Sequence, residues 1–367
     1  MITRIYIDNF RCFVNFEYKP SRKQLILGAN GAGKSSLLDA LLFLRRIVKL
    51  GHSFEQRKIL GEKTLWLAQS NQTFELEALV DGAVHVYRLV IDSYEDPPQA
   101  RVLSESLHFE GKPIFYFEDG KVYLFDEQFQ QKVAYPFDWH RSALATLTDS
   151  KENRKLTQFK AWFDSLLCFR INPFEMTARA EDEDTYPYYN LGNFAAWYRH
   201  VWQSLPIENE KLWNSLRGVL DGFEILKLER AGKGIRSLAA QFKRDNGAID
   251  LELDRLSHGQ KCLIGLYAIL HFVLGKGGTI IVDEPDNFIA LREIQPWLNA
   301  VSDAVDESKG QVLLISHHPE LMNQWAPDYG VRFVREGAGL VRVKEFRGGD
   351  YGPLLPSEIV ARGWENE

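Results

Sequence analysis

The sequence predicts an α/β fold with a mixed sheet core, an N-terminal antiparallel β-lobe and a helical lobe. Three observations carry this. "LILGANGAGKSSLLDALLFL" (25–44) reads as strand, glycine-rich turn and helix. Two hairpin signals follow, "QTFELEALVDGAVHVYRLVID" around Asp81-Gly82 and "KPIFYFEDGKVYLFDE" around Asp119-Gly120. Buried strands alternating with helices return after residue 256, in "GGTIIVDEP" and "GQVLLISHHPE". A simple repeating βαβ chain would not carry the antiparallel insert.

Taken in order, residues 1–50 read as strand, turn, strand, loop and helix, and residues 1–137 as the P-loop half with the β-lobe. Residues 138–225 turn helical, in "LTQFKAWFDSLLCF" and "NFAAWYRHVWQSL". Between these two, "ARAEDEDTYPYYN" reads as a solvated acidic loop (Glu181–Asp184), with an acidic partner-binding site as the alternative. Residues 224–256 read as strands. "LSHGQKCLIGLYAILHFVL" reads as a helix N-capped by Ser257, and "REIQPWLNAVSDAV" as another helix. The span 226–367 forms the second half of one 1–367 unit. No sustained heptads and no internal repeat occur.

Gly28, Gly33, Lys34 and Ser35 fit G-x-x-x-x-G-K-[ST], the P-loop pattern. Gly28, Gly31 and Gly33 open backbone angles closed to other residues, so successive N–H groups can converge on a phosphate. The helix from Lys34 adds its positive end. Lys34 reaches β- and γ-phosphates, and the Ser35 hydroxyl suits Mg²⁺. Asp283 and Glu284 end an apolar strand, where ligands of open α/β sheets bind. There Asp283 would hold Mg²⁺ through water, and Glu284 would be the general base. Leu256-Ser257-His258-Gly259-Gln260 offers a second phosphate-binding surface at a helix start. One nucleotide does not need two such surfaces from one chain, whereas two nucleotides between two chains do. Alone, the five residues are also an ordinary Ser-capped helix. In Ser316-His317-His318, His317 lies nearer the strand end and could sense the γ-phosphate.

At 367 residues the chain can bury one large core or two modest lobes. A net charge of −6 disfavours a bulk polyanion-coating role but allows a local basic patch. Cys12, Cys168 and Cys262 stand far apart without C-x-x-C pairing, which argues against zinc and disulfides and fits a cytoplasmic location. No apolar run reaches a membrane span, and no membrane partner is expected.

In their order, "GANGAGKSS", "LSHGQ", "TIIVDEPDN" and "LLISHHPE" resemble the ABC-type ATPase head. "IYIDNFRCF" resembles the NFR-x-F start of the RecF, SMC and OLD (overcoming lysogenization defect) branch. The β-insert and "NLGNFAAWY" resemble stand-alone prokaryotic AAA-type ATPases related to the OLD ATPase domain. The resemblance covers nearly the whole chain; His258 departs from it, standing where a glycine or a small or acidic residue is usual. It implies that Asn30, Gly31, Ala32, Gly33, Lys34, Ser35 and Ser36 line the triphosphate of ATP and that Arg11 approaches it. It implies Mg²⁺ on Ser35 and Asp283, catalysis by Glu284, Lys34 and His317, and a D-loop at Asp286. Ser257 and Gly259 would meet the γ-phosphate held by a partner chain, and Gln260 would belong to the same nucleotide-binding set. Gln69 or Gln72 would be the Q-loop glutamine.

The lack of heptads excludes an SMC-type tether. Too few residues follow His317 for a TOPRIM nuclease, and "KEFRGGDYGP" holds no metal-binding carboxylate cluster. The expectation is an ATPase that dimerises head to head around two ATP and controls a separate effector, a nuclease or toxin, in antiphage defence. Two alternatives stand beside it: a RecF-like DNA-binding repair ATPase, with nucleic acid on Lys227, Arg230, Lys233, Arg236, Lys243 and Arg244, and an ATP-bound assembly scaffold with little turnover.

Overall fold

In a computed structural model the described residues are 1–54, 62–95, 98–148, 153–245, 247–335, 337, 339–346 and 354–362. The chain folds as two units, one of Met1–Leu166 with Asp328–Asp350, the other of Leu167–Pro327 with Tyr351–Glu367. The first boundary falls inside the 138–225 span, and residues 328–350 belong with the P-loop unit. Residues 347–353 of "KEFRGGDYGP" lie outside the described residues.

In the first unit, Ile2–Asp8 pairs antiparallel with Phe16–Tyr18 on one side and Asn71–Val80 on the other. Their register sets Ile5 opposite Leu76 and Ile7 opposite Phe74, so one face is apolar and buried. The sheet continues antiparallel through Ala83–Glu95, Pro98–Phe109, Lys112–Glu118, Lys121–Phe125 and Gln131–Pro136. Both expected hairpins are present, with positive φ at Asp81 and Gly82 (49° and 87°) and at Asp119 and Gly120 (50° and 72°). Both central residues at φ > 0 match the twist of the flanking strands. Glu110-Gly111 makes a third turn of this kind, with φ 48° and 76°.

Lys23–Leu27, buried throughout, pairs parallel with Gly330–Arg335, which pairs antiparallel with Val341–Glu345. The helix Lys34–Val48 leaves this strand across the glycine-rich turn and buries Leu37, Leu38, Leu41, Leu44 and Ile47. Its Phe43 ring lies 5.9 Å from Phe10 and 5.1 Å from Phe74. Each such buried ring contributes about 1.5–3 kcal/mol, well above helix propensity differences of tenths, so packing fixes this helix on the sheet.

The helical reading of "LTQFKAWFDSLLCF" is only half right. The helix is Arg154–Asp164, with Ser165 as its C-cap, and Leu166–Phe169 is a fully buried strand. A short apolar run in a buried strand and one in a buried helix have the same pattern.

In the second unit, Leu166–Phe169, which enters it at Leu167, neighbours Thr279–Asp283, and that strand pairs parallel with Gln311–Ile315 in register Asp283↔Ile315. All residues of the last two strands are buried, as parallel strands covered on both faces require. Phe223–Arg230, Arg236–Arg244 and Gly247–Glu252 form an antiparallel meander. The helix His258–Phe272 is buried on nearly all sides. A Cβ at Gly265 would sit 2.7 Å from the Leu191 Cδ1 atom, and buried Trp297, from the helix Leu291–Glu307, donates Nε1–H to the Leu266 carbonyl at 3.1 Å. The acidic loop is engaged within the unit: Glu183 pairs with Arg199 at 3.3 Å, and Asp184 accepts from Asn193 at 2.7 Å.

Candidate nucleotide site

Each P-loop glycine has its own physical reason. Gly28 has φ 146°, and a Cβ there would lie 2.5 Å from the Phe333 carbonyl oxygen. Gly33 has φ 95°, and a Cβ would meet Cys12 Sγ at 3.0 Å and the Phe13 ring at 3.1 Å. Gly31 has φ 80° with open space around it. Asn30, Gly31 and Ser35 are exposed, Ser36 is half-buried and Ala32 is buried. The Lys34 side chain is buried and folds back over the loop, its ammonium donating to the carbonyls of Gly28 at 2.7 Å and Ala29 at 3.0 Å.

The segment "DNFRCF" forms the floor under this loop. Asn9 is fully buried; its amide donates to the Gln69 and Asn71 carbonyls, both at 2.9 Å, and accepts from Thr64 N–H at 3.2 Å. Phe10 packs against Phe43 of the P-loop helix, and Phe13 lies beneath Gly33. Arg11, expected at the phosphates, is ion-paired to Asp39 of that helix and to Glu62, and these carboxylates hold its guanidinium more firmly protonated than usual. Gln72 is buried and donates to the Asn9 carbonyl at 2.9 Å, whereas Gln69 is exposed and donates to Asp8 at 2.9 Å.

In the second unit, Asp283 ends its buried strand at 3% exposure. Glu284 follows in a left-handed backbone conformation, φ 52°, with its N–H on the Ile315 carbonyl at 2.8 Å. Its exposed carboxylate accepts from Asn287 at 2.7 Å. A non-glycine residue here costs roughly 1–2 kcal/mol, and such strain collects at working sites. Asp286 accepts from Ser316 Oγ at 2.6 Å, so the D-loop and the end of Gln311–Ile315 are tied together. His317 is exposed, while the His318 ring accepts from the Glu320 N–H at 3.2 Å and sits at the start of the next helix.

Ser257 and Gln260 form a reciprocal cap: Ser257 Oγ accepts from Gln260 N–H at 3.2 Å, and Gln260 Oε1 accepts from Ser257 N–H at 2.9 Å. A Cβ at Gly259 would lie 2.7 Å from the Phe288 carbonyl oxygen, so the signature helix and the D-loop meet backbone to backbone. His258 packs against exposed Phe174, ring centroids 4.2 Å apart and planes tilted by 51°, with Phe288 at 5.8 Å.

Residues 25–323 match the family model described as "AAA domain, putative AbiEii toxin, Type IV TA system". Residues 4–44 match a second AAA-domain model. The chain belongs to this AAA-domain family. Two solved structures are similar to the AAA-domain chain. The SMC head bound to the C-winged helix domain of ScpA has a TM-score of 0.58 at 12% identity, covering 94% of this chain and 98% of that one. The SMC head domain from Thermotoga maritima has a TM-score of 0.51 at 14% identity, covering 94% and 99%. At such identity the likeness is one of fold, and the fold is that of an SMC-head-like P-loop NTPase. No curated protein matches the sequence.

The residues of the AAA-domain protein fit a Mg-nucleotide. The P-loop backbone is built for phosphate, and Asp283 places a carboxylate at the end of a buried strand. Among the described residues no group of three or more His, Cys, Asp or Glu is arranged to hold a metal ion. Mg²⁺ in such sites uses one or two protein oxygens and takes the rest from water and phosphate. Also among the described residues, no helix is long and apolar enough to cross a membrane.

Sequence reasoning missed Arg170. It follows the strand Leu166–Phe169, and its guanidinium bonds Asp283, Nε to Oδ2 at 3.0 Å and Nη2 to the same oxygen. The only signal is adjacency of two strands that lie over a hundred residues apart in sequence.

Proposed function

We propose that the protein is an ATP-driven switch: two chains close head to head around two ATP, hydrolysis opens them, and the change controls a separate effector, a nuclease or toxin, in antiphage defence. The P-loop from Asn30 to Ser36 holds the triphosphate, with Lys34 leaving its own loop carbonyls for the β- and γ-phosphates. Ser35 and Asp283 hold Mg²⁺, which when bound neutralises charge on the phosphates. Glu284 takes the proton of the attacking water, and His317 senses the γ-phosphate. Arg11, held by Asp39 and Glu62, steadies the loop and the first turns of its helix. Gln69, the exposed one of the two glutamines, takes the Q-loop role.

One observation carries the two-chain reading. The capped Ser257 helix start and the D-loop at Asp286 are built into one surface through the contact at Gly259. This surface offers Ser257, Gly259 and Gln260 to a nucleotide that one chain's own P-loop does not need. The AbiEii description of the family supports an effector-linked defence role, and the likeness to an SMC head bound to ScpA supports a protein partner. Mixing variants tests this. Lys34→Ala and Ser257→Asp chains should each be inactive alone. Mixed, they should regain activity, because a mixed pair contains one complete set of groups. A mixture as inactive as its parts would overturn the two-chain reading.

A second reading, DNA binding of the RecF type, is favoured by the exposed meander edge. Arg230 stands directly opposite Arg236, and Lys243 and Arg244 lead into the next turn. Like charges directly opposite repel, which a bound polyanion would relieve. DNA affinity falling steeply with salt supports this reading; no binding at low salt removes it.

A further inference from the structure

We propose that Arg170 is a positioning residue for the divalent cation: its guanidinium holds the Asp283 carboxylate until a metal replaces it, and so sets how tightly that metal binds. The inference rests on the nucleotide-switch reading above. Asp283 is buried at the end of its strand, and a carboxylate there needs a counter-charge. Arg170 supplies it, through Nε at 3.0 Å and through Nη2.

Two features suit this pair to exchange. The Arg170 side chain is 46% exposed while that of Asp283 is 3% exposed, so the guanidinium reaches the carboxylate from the solvent side and can return to water without unpacking the core. The backbone around it is fixed independently. Arg170 N–H bonds the Tyr189 carbonyl at 2.8 Å, and Asn172 N–H bonds the Asn190 carbonyl at 3.0 Å. Farther on, the carbonyls of Pro173 and Met176 accept from the buried Lys261 ammonium at 3.2 and 3.1 Å. The side chain can therefore swing while its backbone stays in place. A divalent ion and a guanidinium compete for one carboxylate, and each repels the other.

The test is a Mn²⁺ titration followed by electron paramagnetic resonance, with a non-hydrolysable ATP analogue at saturation. Nucleotide binding without metal, measured with a fluorescent ATP analogue in EDTA, is the companion measurement. Arg170→Gln should bind Mn²⁺ roughly ten- to a hundredfold more tightly than wild type, as expected for loss of a charged hydrogen-bonded competitor, with metal-free nucleotide binding unchanged. Arg170→Lys, a compact ammonium without the planar fork, should fall between them and covers the case in which the Gln variant does not fold. A residue that merely supported the fold would lower the melting temperature and leave Mn²⁺ affinity unchanged or weaker; that result in either variant would overturn the proposal. Adding Asp283→Asn to Arg170→Gln should abolish the gain; a gain that survives would place the metal elsewhere and also overturn it. Wild-type protein that binds no nucleotide either with Mg²⁺ or in EDTA would instead refute the switch reading and this inference with it.

Discussion

Glu284 combines two properties that a substitution can separate. Glu284→Gln keeps the left-handed backbone and removes the base, so ATP turnover should fall by about 10²–10⁴-fold while nucleotide affinity stays near wild type. Glu284→Gly should be equally inactive but should melt higher, by the equivalent of roughly 1 kcal/mol, because the strain at φ 52° is relieved. Turnover at the wild-type rate in Glu284→Gln would refute the base assignment. The P-loop glycines separate likewise. Gly28→Ala drives a methyl into the Phe333 carbonyl and should cost both stability and nucleotide binding, whereas Gly31→Ala meets open space and should cost only the strain of its φ, roughly 1–2 kcal/mol. Comparative unfolding in urea decides between them. His271 adds a pH effect. Burial, reinforced by nearby Lys211, pushes its ring down to about 4 from the usual 6.5, with Ser215 Oγ 2.8 Å from Nε2. The unfolded chain therefore binds the proton more readily, so this group's contribution is intact above pH 6.5 and is lost as the pH falls toward 4, by at most about 3 kcal/mol. His271→Gln should flatten that part of the stability profile; an unchanged slope would refute it.

At the scale of elements, the signature helix is where folding and function overlap. Ser257 caps the helix, so Ser257→Ala should cost about 1 kcal/mol from the lost cap alone. Ser257→Asp preserves a good cap while placing negative charge where a γ-phosphate would come, so it should keep the melting temperature and lose ATP-dependent association. If Ser257→Asp associates normally, the hydroxyl is only a cap. Elements whose cause is local were legible in the sequence. Asp-Gly turns at 81–82 and 119–120 fixed two hairpins, and Ser257 fixed a helix start. Glu110-Gly111 went unread because Glu is not a usual residue at φ > 0. The strand at Leu166–Phe169 was read as helix because only its neighbour Thr279–Asp283 makes it a strand. Arg170 was illegible for the same reason: nothing within the sequence around it points to Asp283.

At the scale of the whole molecule, the P-loop unit and the unit carrying Asp283, Ser257 and His317 each have their own buried residues. The chain-wide pattern of motifs was legible, since residues 25–323 match one AAA-domain family, while the identity of an effector leaves no mark on a single chain. What the account requires of the molecule is that ATP drive two copies together. The decisive measurement is the solution mass of Glu284→Gln, expected to bind ATP without turning it over, with and without Mg-ATP. The account predicts a nucleotide-dependent rise from monomer to dimer, or from dimer to a larger assembly, that Ser257→Asp in the same chain abolishes. A Glu284→Gln protein that binds Mg-ATP and remains a monomer would contradict it.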